Sequence, residues 1–204
     1  MKFLKRNYGW MIVAILATLP LLPLINIGQS LFHPDATNED IKNTVGMLYH
    51  ISGEFAIRWM TAVLTLTPFF ILFGVTNLFV RQAMGIATAV WSFIHFIIFL
   101  WADGFLETFT QVNYVLGFIA ILILIPLFFT SNRKSMQLLK TNWKKLQSLA
   151  YVDIFLSLLH VVLLEKTWLI YAIIVGLGFV IRMPFIKNKF IQLRKKKKKQ
   201  VKAK

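Results

Sequence analysis

The chain has 204 residues, of which 57% are hydrophobic, and its mean hydropathy is +0.67. A soluble domain of this size needs a larger polar share to cover its surface, so lipid is the expected solvent. The absence of cysteine excludes disulfides, Cys-ligated iron–sulfur clusters and thiol redox chemistry, and any redox function must therefore rest on a bound cofactor.

The formal net charge of +15 is concentrated at the C-terminus, where residues 187–204 contain ten of the 23 Lys and Arg residues. A cationic block beside an apolar span predicts attraction to anionic lipid, worth about 1 kcal/mol per cation near the surface. Nucleic-acid binding is the competing interpretation, and the apolar spans weigh against it. We therefore divide the chain into a membrane domain, residues 1–186, and a polybasic cytoplasmic tail, residues 187–204.

Six apolar stretches are long enough to cross, or nearly cross, a hydrocarbon core about 30 Å thick. They run from Gly9 to Ile27, Phe55 to Val80, Ala83 to Ala102, Val112 to Thr130, Ser148 to Leu164 and Trp168 to Ile186. Arg81 and Gln82 are expected to mark the turn between the second and third stretches. No small-x-small cleavage site follows the first stretch, so we expect it to remain as an uncleaved helix.

The charges in the connecting segments alternate in sign from one crossing to the next. Lys and Arg dominate both termini and the links around Arg81 and Arg133. The opposite links contain only the cations Lys42 and Lys166, against seven acids: Asp35, Glu39, Asp40, Glu54, Asp103, Glu107 and Glu165. The positive-inside rule then predicts an all-α, polytopic helical bundle of about six transmembrane helices with both termini in the cytoplasm.

Two of the four histidines, His95 and His160, lie inside the third and fifth stretches, where ionisable side chains usually face the bundle interior. Each lies twelve residues after the start of its stretch, which corresponds to about 18 Å along a helix. Each also ends a polar stripe on one helix face. The stripes are Thr88, Ser92 and His95, and Asp153, Ser157 and His160. Two imidazoles at one depth on parallel helices have the geometry for axial ligation of a haem.

Other interpretations of these polar residues stay open on this basis. Each intramembrane histidine could bond a neighbouring helix, whereas a bare metal ion is disfavoured because no carboxylate or thiolate shares the level. Arg58 is the best cation for haem propionates, but it could equally pair with Glu54 at i,i+4. His33 and His50 are expected in or beside the first outer loop. Asp153 is expected near the inner surface, solvated from the cytoplasm.

Four ordered segments resemble the haem-binding membrane subunit of bacterial periplasmic methionine sulfoxide reductase systems, the MsrQ/YedZ type, within the ferric-reductase-like transmembrane group. They are HISGEFAI (50–57), RQAMGIATAVWSFIHF (81–96), NYVLGFIAILILIPLFFTSN (113–132) and WKKLQSLAYVDIFLSLLH (143–160). By this resemblance His95 and His160 match haem-iron ligands, and His50 matches a histidine just before the second helix. Gln147 departs from the pattern, since a histidine is typical there, and Lys140 stands where glycine is common. Glu54 stands where arginine is common.

The resemblance implies an electron-transfer subunit rather than a complete enzyme. Electrons would pass from a cytoplasmic flavin reductase or the quinol pool, through the bacterial inner membrane, to a periplasmic molybdenum-containing reductase that repairs oxidised methionine. One haem b is expected rather than two, because the amide of Gln147 is not a strong axial ligand; FMN or a quinone are further cofactor candidates. A ferric- or metalloreductase-like protein is one alternative. The other is a non-redox bundle, a transporter or assembly factor, with structural histidines.

Overall fold

The computed structural model describes residues 2–74 and 78–202, with side chains from 8 to 74 and from 79 to 196, and all regular elements in these ranges are helices. The α-helices are α1 (Lys2–Thr18), α2 (Leu21–Gln29), α3 (Asn38–Phe73), α4 (Leu78–Ala102), α5 (Val112–Phe129), α6 (Arg133–Leu139), α7 (Thr141–Gln147), α8 (Ala150–Leu163), α9 (Leu169–Arg182) and α10 (Pro184–Lys202). Short 3₁₀ turns cover Ser30–Phe32 and Leu106–Phe109. The predicted all-α class is confirmed.

Five helical segments in the described chain are long and apolar enough to cross a membrane. They are Tyr8–Phe32, Asn38–Phe73, Phe79–Ala102, Val112–Phe129 and Thr141–Leu163. A sixth crossing requires α9 and the first part of α10 together, and this pair bends by 72° at the break between them. At 1.5 Å per residue, α9 alone is about 21 Å long, short of the hydrocarbon thickness.

Helix α3 begins well before the apolar stretch that predicted it. Thr37 is its N-cap in a capping box, with the Asp40 amide donating to the Thr37 hydroxyl (3.2 Å) and the Thr37 amide donating to the Asp40 carboxylate (3.0 Å). These bonds satisfy the first free amides of the helix, so α3 starts at Asn38 rather than Phe55. His50 therefore lies inside α3, and its expected place at the loop is corrected.

The inner link between α3 and α4 also differs from the expectation. Gly74 ends α3 in the left-handed conformation (φ 76°), which glycine adopts without a steric penalty. Arg81 and Gln82, the expected turn residues, lie inside α4 instead. Hydropathy missed this because the residues after Gly74 are themselves mostly apolar.

The C-terminal basic segment is helical across its described part and packs against the bundle. Helix α10 starts at Pro184, a favoured first helical residue, so the predicted boundary at residue 187 falls within it. The Arg194 guanidinium donates to the carbonyls of Phe70 (3.3 Å) and Ile71 (3.0 Å). A cation there complements the negative C-terminal end of the α3 dipole.

The four helices that matter for the site pack as two pairs. Helix α3 packs on α4, α5 packs on α8, and α4 also contacts α5. Helices α4 and α8 thus lie on opposite sides of the bundle interior, with α3 and α5 packed between them. We call the end of the bundle with Asp103 and Lys166 the outer end, and the end with Gly74 and Gln147 the inner end. That the inner end faces the cytoplasm stays a prediction.

Candidate functional site

The two intramembrane histidines meet in the interior of the bundle. The ring centroids of His95 on α4 and His160 on α8 lie 6.5 Å apart, and the rings are inclined by 77°. Two imidazoles bound to one metal through bonds of about 2 Å have centroids about 6 Å apart, since each centroid lies about 1 Å behind its nitrogen. The spacing therefore suits a single iron between the rings.

The hydrogen bond that His95 makes through Nδ1 leaves its Nε2 nitrogen available as a ligand. His95 Nδ1 lies 3.0 Å from the hydroxyl of Ser52 on α3, which is fully buried. That hydroxyl donates its only proton to the Leu48 carbonyl at 2.7 Å, so its oxygen accepts from Nδ1–H of His95. Nε2 of His95 then carries a free lone pair.

The second ring reaches the same protonation state by another route. His160 Nδ1 lies 2.6 Å from the backbone carbonyl of Asn113, in the first turn of α5. A carbonyl only accepts, so Nδ1 of His160 carries the proton and Nε2 has the lone pair. Metal-binding histidines commonly donate their second nitrogen to such a carbonyl, which orients the ring and raises its basicity.

Each imidazole lies against a glycine of the neighbouring helix. A Cβ built on Gly53 would lie 3.2 Å from Cε1 of His95, and one built on Gly117 would lie 3.1 Å from Nδ1 of His160. Both distances are shorter than ordinary carbon contacts, so the rings fit because these positions lack side chains. Sequence reasoning missed both glycines. An isolated glycine inside an apolar helix was the available signal.

The histidines line a cavity of about 360 Å³ enclosed by α3, α4, α5 and α8, a size typical of small-molecule and cofactor sites. Its wall is apolar toward the inner end. Those residues include Ile57, Met60, Ile121 and Leu124, with Phe96, Phe99 and Phe118 above them. Toward the outer end the wall is polar, with Tyr49, His50, Asp103, Thr108, Tyr114 and Lys166. A flat macrocycle with an apolar body and a charged edge fits this donor set and polarity.

The structure places one of the other predicted site residues at the cavity and one away from it. His50 lines the cavity. Arg58 does not: its Nε donates to the Glu54 carboxylate at 2.9 Å, and the same carboxylate oxygen accepts from the Tyr171 hydroxyl at 2.6 Å. The i,i+4 pair is thus formed, and a role for Arg58 at haem propionates stays a prediction. His33 lies outside the bundle, near Asp35.

The predicted polar stripes contribute to the wall only in their outer part. Ser92 and Ser157 line the cavity, whereas the Thr88 hydroxyl donates back to the Met84 carbonyl. Asp153 is 1% exposed, and its Oδ1 has no hydrogen-bond partner among the described residues. The expectation that this carboxylate is solvated from the cytoplasm was therefore wrong, because α8 packs it into the bundle.

Two glutamine amides hold the inner end of α5. Gln147, at the end of α7, donates to the Leu127 carbonyl (3.3 Å) and to the Thr130 hydroxyl (3.1 Å). Gln82 on α4 donates to the Ser131 carbonyl at 2.5 Å. Gln147 does not line the cavity. At this position, where the resemblance implied a histidine, the side chain instead links α7 to the end of α5.

Comparison with known proteins identifies relatives of the same type as the resemblance suggested. The chain is 28% identical over 176 residues to proteins named "Protein-methionine-sulfoxide reductase heme-binding subunit MsrQ" from Brucella ovis, Brucella canis and Brucella suis, with 80% of this chain and 80% of each relative covered. The resemblance to MsrQ/YedZ-type haem-binding membrane subunits is thereby confirmed. No protein-family model matches the chain, and no solved structure matches it.

Proposed function

We propose that this chain is the b-type haem electron-transfer subunit of a methionine sulfoxide reductase system in the bacterial inner membrane, with one haem held between His95 and His160. The observation that carries the proposal is the 6.5 Å separation of the two imidazole centroids across the cavity. The relatives support it, because they are named as haem-binding subunits of such a reductase and align over most of the chain.

The residues of the chain would bind, orient and enclose the group. His95 and His160 would hold the haem iron through Nε2, and Ser52 and the Asn113 carbonyl would keep both rings in the required tautomer. Apolar and aromatic side chains exclude water from the inner part of the cavity. When bound, haem iron supplies one-electron transfer at a potential tuned by its ligands and burial.

The position of the histidines favours an acceptor on the outer side. The cavity reaches the outer end of the bundle through Asp103, Thr108 and Lys166, so a redox partner there would approach its polar edge. We propose a periplasmic molybdenum-containing reductase as this acceptor. The donor would be a cytoplasmic flavin reductase or the quinol pool, and α10 would lie against anionic lipid on the inner side.

A reduced-minus-oxidised absorption spectrum of the purified chain, expressed with ample haem, tests the ligation. We expect the sharp α band of a six-coordinate, low-spin haem in the wild type and in His33→Ala. The band should be absent or strongly reduced in His95→Ala and His160→Ala, because either change removes one axial nitrogen. A wild-type protein without this band would reject every redox role and leave a structural bundle.

Reconstitution separates the proposed acceptor from the metalloreductase alternative. Vesicles containing the haem-loaded chain are reduced with a quinol, and reoxidation of the haem is followed after adding a periplasmic methionine sulfoxide reductase or a ferric chelate outside. Fast reoxidation by the reductase plus methionine sulfoxide, and slow reoxidation by the chelate, is the expected result. The reverse order would favour ferric reduction.

A further inference from the structure

We propose that the outer end of the cavity is a carboxylate-binding site for the two haem propionates, with Lys166 as their counter-charge. This inference rests on the proposed function, because it concerns the orientation of the group that His95 and His160 would hold. It assigns a role to Lys166 and Thr108, which sequence reasoning did not single out, and it moves the propionate contact away from Arg58.

Lys166 is held at the mouth of the cavity by the turn that ends α8. The Glu165 amide donates to the Val162 carbonyl (2.9 Å), and the Lys166 amide donates to the Val161 carbonyl (3.3 Å). With Glu165 in the left-handed conformation (φ 54°), this is the Schellman arrangement of a helix C-terminus. The left-handed residue Glu165 lies five residues after His160 and directly before Lys166, so one short segment positions both an iron-ligand candidate and a cation.

The charge of Lys166 is not used within the protein. Lys166 lines the cavity, and among the residues that the structure describes it forms no ion pair. Arg58, by contrast, is engaged with Glu54. A cavity cation that forms no ion pair with a described carboxylate is suited to a carboxylate supplied by the ligand, since charge-assisted bonds are stronger than neutral ones.

Thr108 provides an independent indication that a polar group belongs at this end. It is 1% exposed and lines the cavity from the 3₁₀ turn Leu106–Phe109. Its hydroxyl has no hydrogen-bond partner in the described chain. A buried hydroxyl without a partner costs free energy, and an acceptor oxygen on the ligand would remove that cost.

The acidic groups on the wall accept hydrogen bonds from other side chains of the protein. The Asp103 carboxylate accepts a hydrogen bond from the Tyr49 hydroxyl, and Glu54 accepts from both Arg58 and Tyr171. The Tyr49 hydroxyl is neutral, so Asp103 keeps its charge, while Lys166 is the one Lys or Arg among the described residues that line the cavity. The inner wall, around Met60 and Leu124, offers no cation to a carboxylate. A cation is therefore available to the propionates only at the outer end of the described cavity wall.

Haem and its dimethyl ester distinguish this assignment from a purely structural role of Lys166. Each is loaded into the full chain in uncharged-lipid nanodiscs, and transfer to excess apomyoglobin is followed by absorbance. The variant is Lys166→Met, and the matched control is Lys42→Met, which removes an exposed lysine that does not line the cavity.

We expect Lys166→Met to release haem about two- to fivefold faster than the wild type. This fold-change corresponds to the free energy that a partly exposed ion pair contributes. Release of the dimethyl ester, which lacks the carboxylate charge, should be the same in both proteins, and Lys42→Met should change neither rate. Equal acceleration of haem and ester, or no acceleration of either, would overturn the inference while leaving the proposed function intact. Failure of haem itself to bind between the histidines would overturn the proposed function.

Discussion

The outer and inner halves of the bundle use polar side chains of neighbouring helices for different purposes. In the outer half, α4 and α8 present His95 and His160 to an open cavity. In the inner half, α4 and α7 present Gln82 and Gln147, and both amides bond the end of α5. Trp143 donates to the Thr130 carbonyl in the same region.

This contrast shows that a binding site in a membrane bundle needs open space beside the neighbouring helix as well as a ligand residue. Gly53 and Gly117 leave the space in which the imidazoles lie. In the inner half, Leu64, Leu127 and Ile154 belong to one buried apolar cluster and fill the corresponding space. Side-chain packing and interhelical hydrogen bonds hold such bundles, because lipid gives little hydrophobic drive for association.

Filling the space beside one histidine should produce the largest effect. Gly117→Val places branched carbon where a Cβ would already lie 3.1 Å from the His160 ring. We expect haem retention to fall by at least about tenfold, because the ring must leave its axial position. The control is Gly176→Val, at a position with nothing within 4 Å, which should retain haem. Normal haem content in Gly117→Val would show that the outer half tolerates filling.

A glycine at the inner end should stabilise the protein. Lys140, between α6 and α7, has φ 48°, a conformation that costs a side-chain-bearing residue about 1–3 kcal/mol. Lys140→Gly is therefore expected to raise the unfolding free energy by about 1 kcal/mol or more, measured by thermal unfolding in detergent. Lys144→Gly, inside α7, should lower it by about 1 kcal/mol. A fall in both variants would contradict the strain argument.

Introducing a histidine in the inner half tests whether ligand chemistry alone makes a site. We expect Gln147→His to keep one haem per chain and an unchanged spectrum, because residue 147 faces the end of α5 rather than the cavity. Loss of its bonds to Leu127 and Thr130 should lower stability by about 1 kcal/mol, and Gln147→Leu should show the same loss. A second haem equivalent in the pyridine haemochrome assay would refute the separation of the halves.

A stability effect of similar size is expected from a buried hydroxyl beneath the cavity. Thr61 is 6% exposed, and its Oγ1 has no partner among the described residues. Thr61→Val keeps the shape and removes the unsatisfied group, so unfolding free energy should rise by about 1 kcal/mol. Thr65 donates to the Thr61 carbonyl at 2.8 Å, and Thr65→Val should gain nothing. Equal changes in the unfolding free energy of both variants would contradict the view that, of these two hydroxyls, only that of Thr61 is unsatisfied.

Much of the fold was predictable because hydropathy and charge are local signals. The apolar stretches placed α4 and α5 to within a few residues, apart from the start of α4 at Leu78. The start of α3 was missed because its first turns are polar and depend on the Thr37 cap rather than on lipid contact. The bend after α9 was missed because hydropathy continues across Met183.

The candidate site was predictable only in its titratable residues. His95 and His160 could be paired by depth, since rise per residue along a helix is constant. The roles of four further residues could not be predicted, because they depend on which helix lies beside each histidine. These residues are Ser52, Gly53, Asn113 and Gly117. The same reason explains Arg58, whose partner Glu54 was visible in the sequence but whose distance from the cavity was not.

The sequence by itself determined that the chain is an α-helical membrane protein with two histidines at one depth, because residue hydrophobicity and helical rise do not depend on tertiary contacts. Tertiary structure decided which sides of α4 and α8 face each other, and that the space between them is open outside and filled inside. It also decided that Lys166 lies at the mouth of the cavity. Packing between helices sets these features, and packing joins residues far apart in the chain.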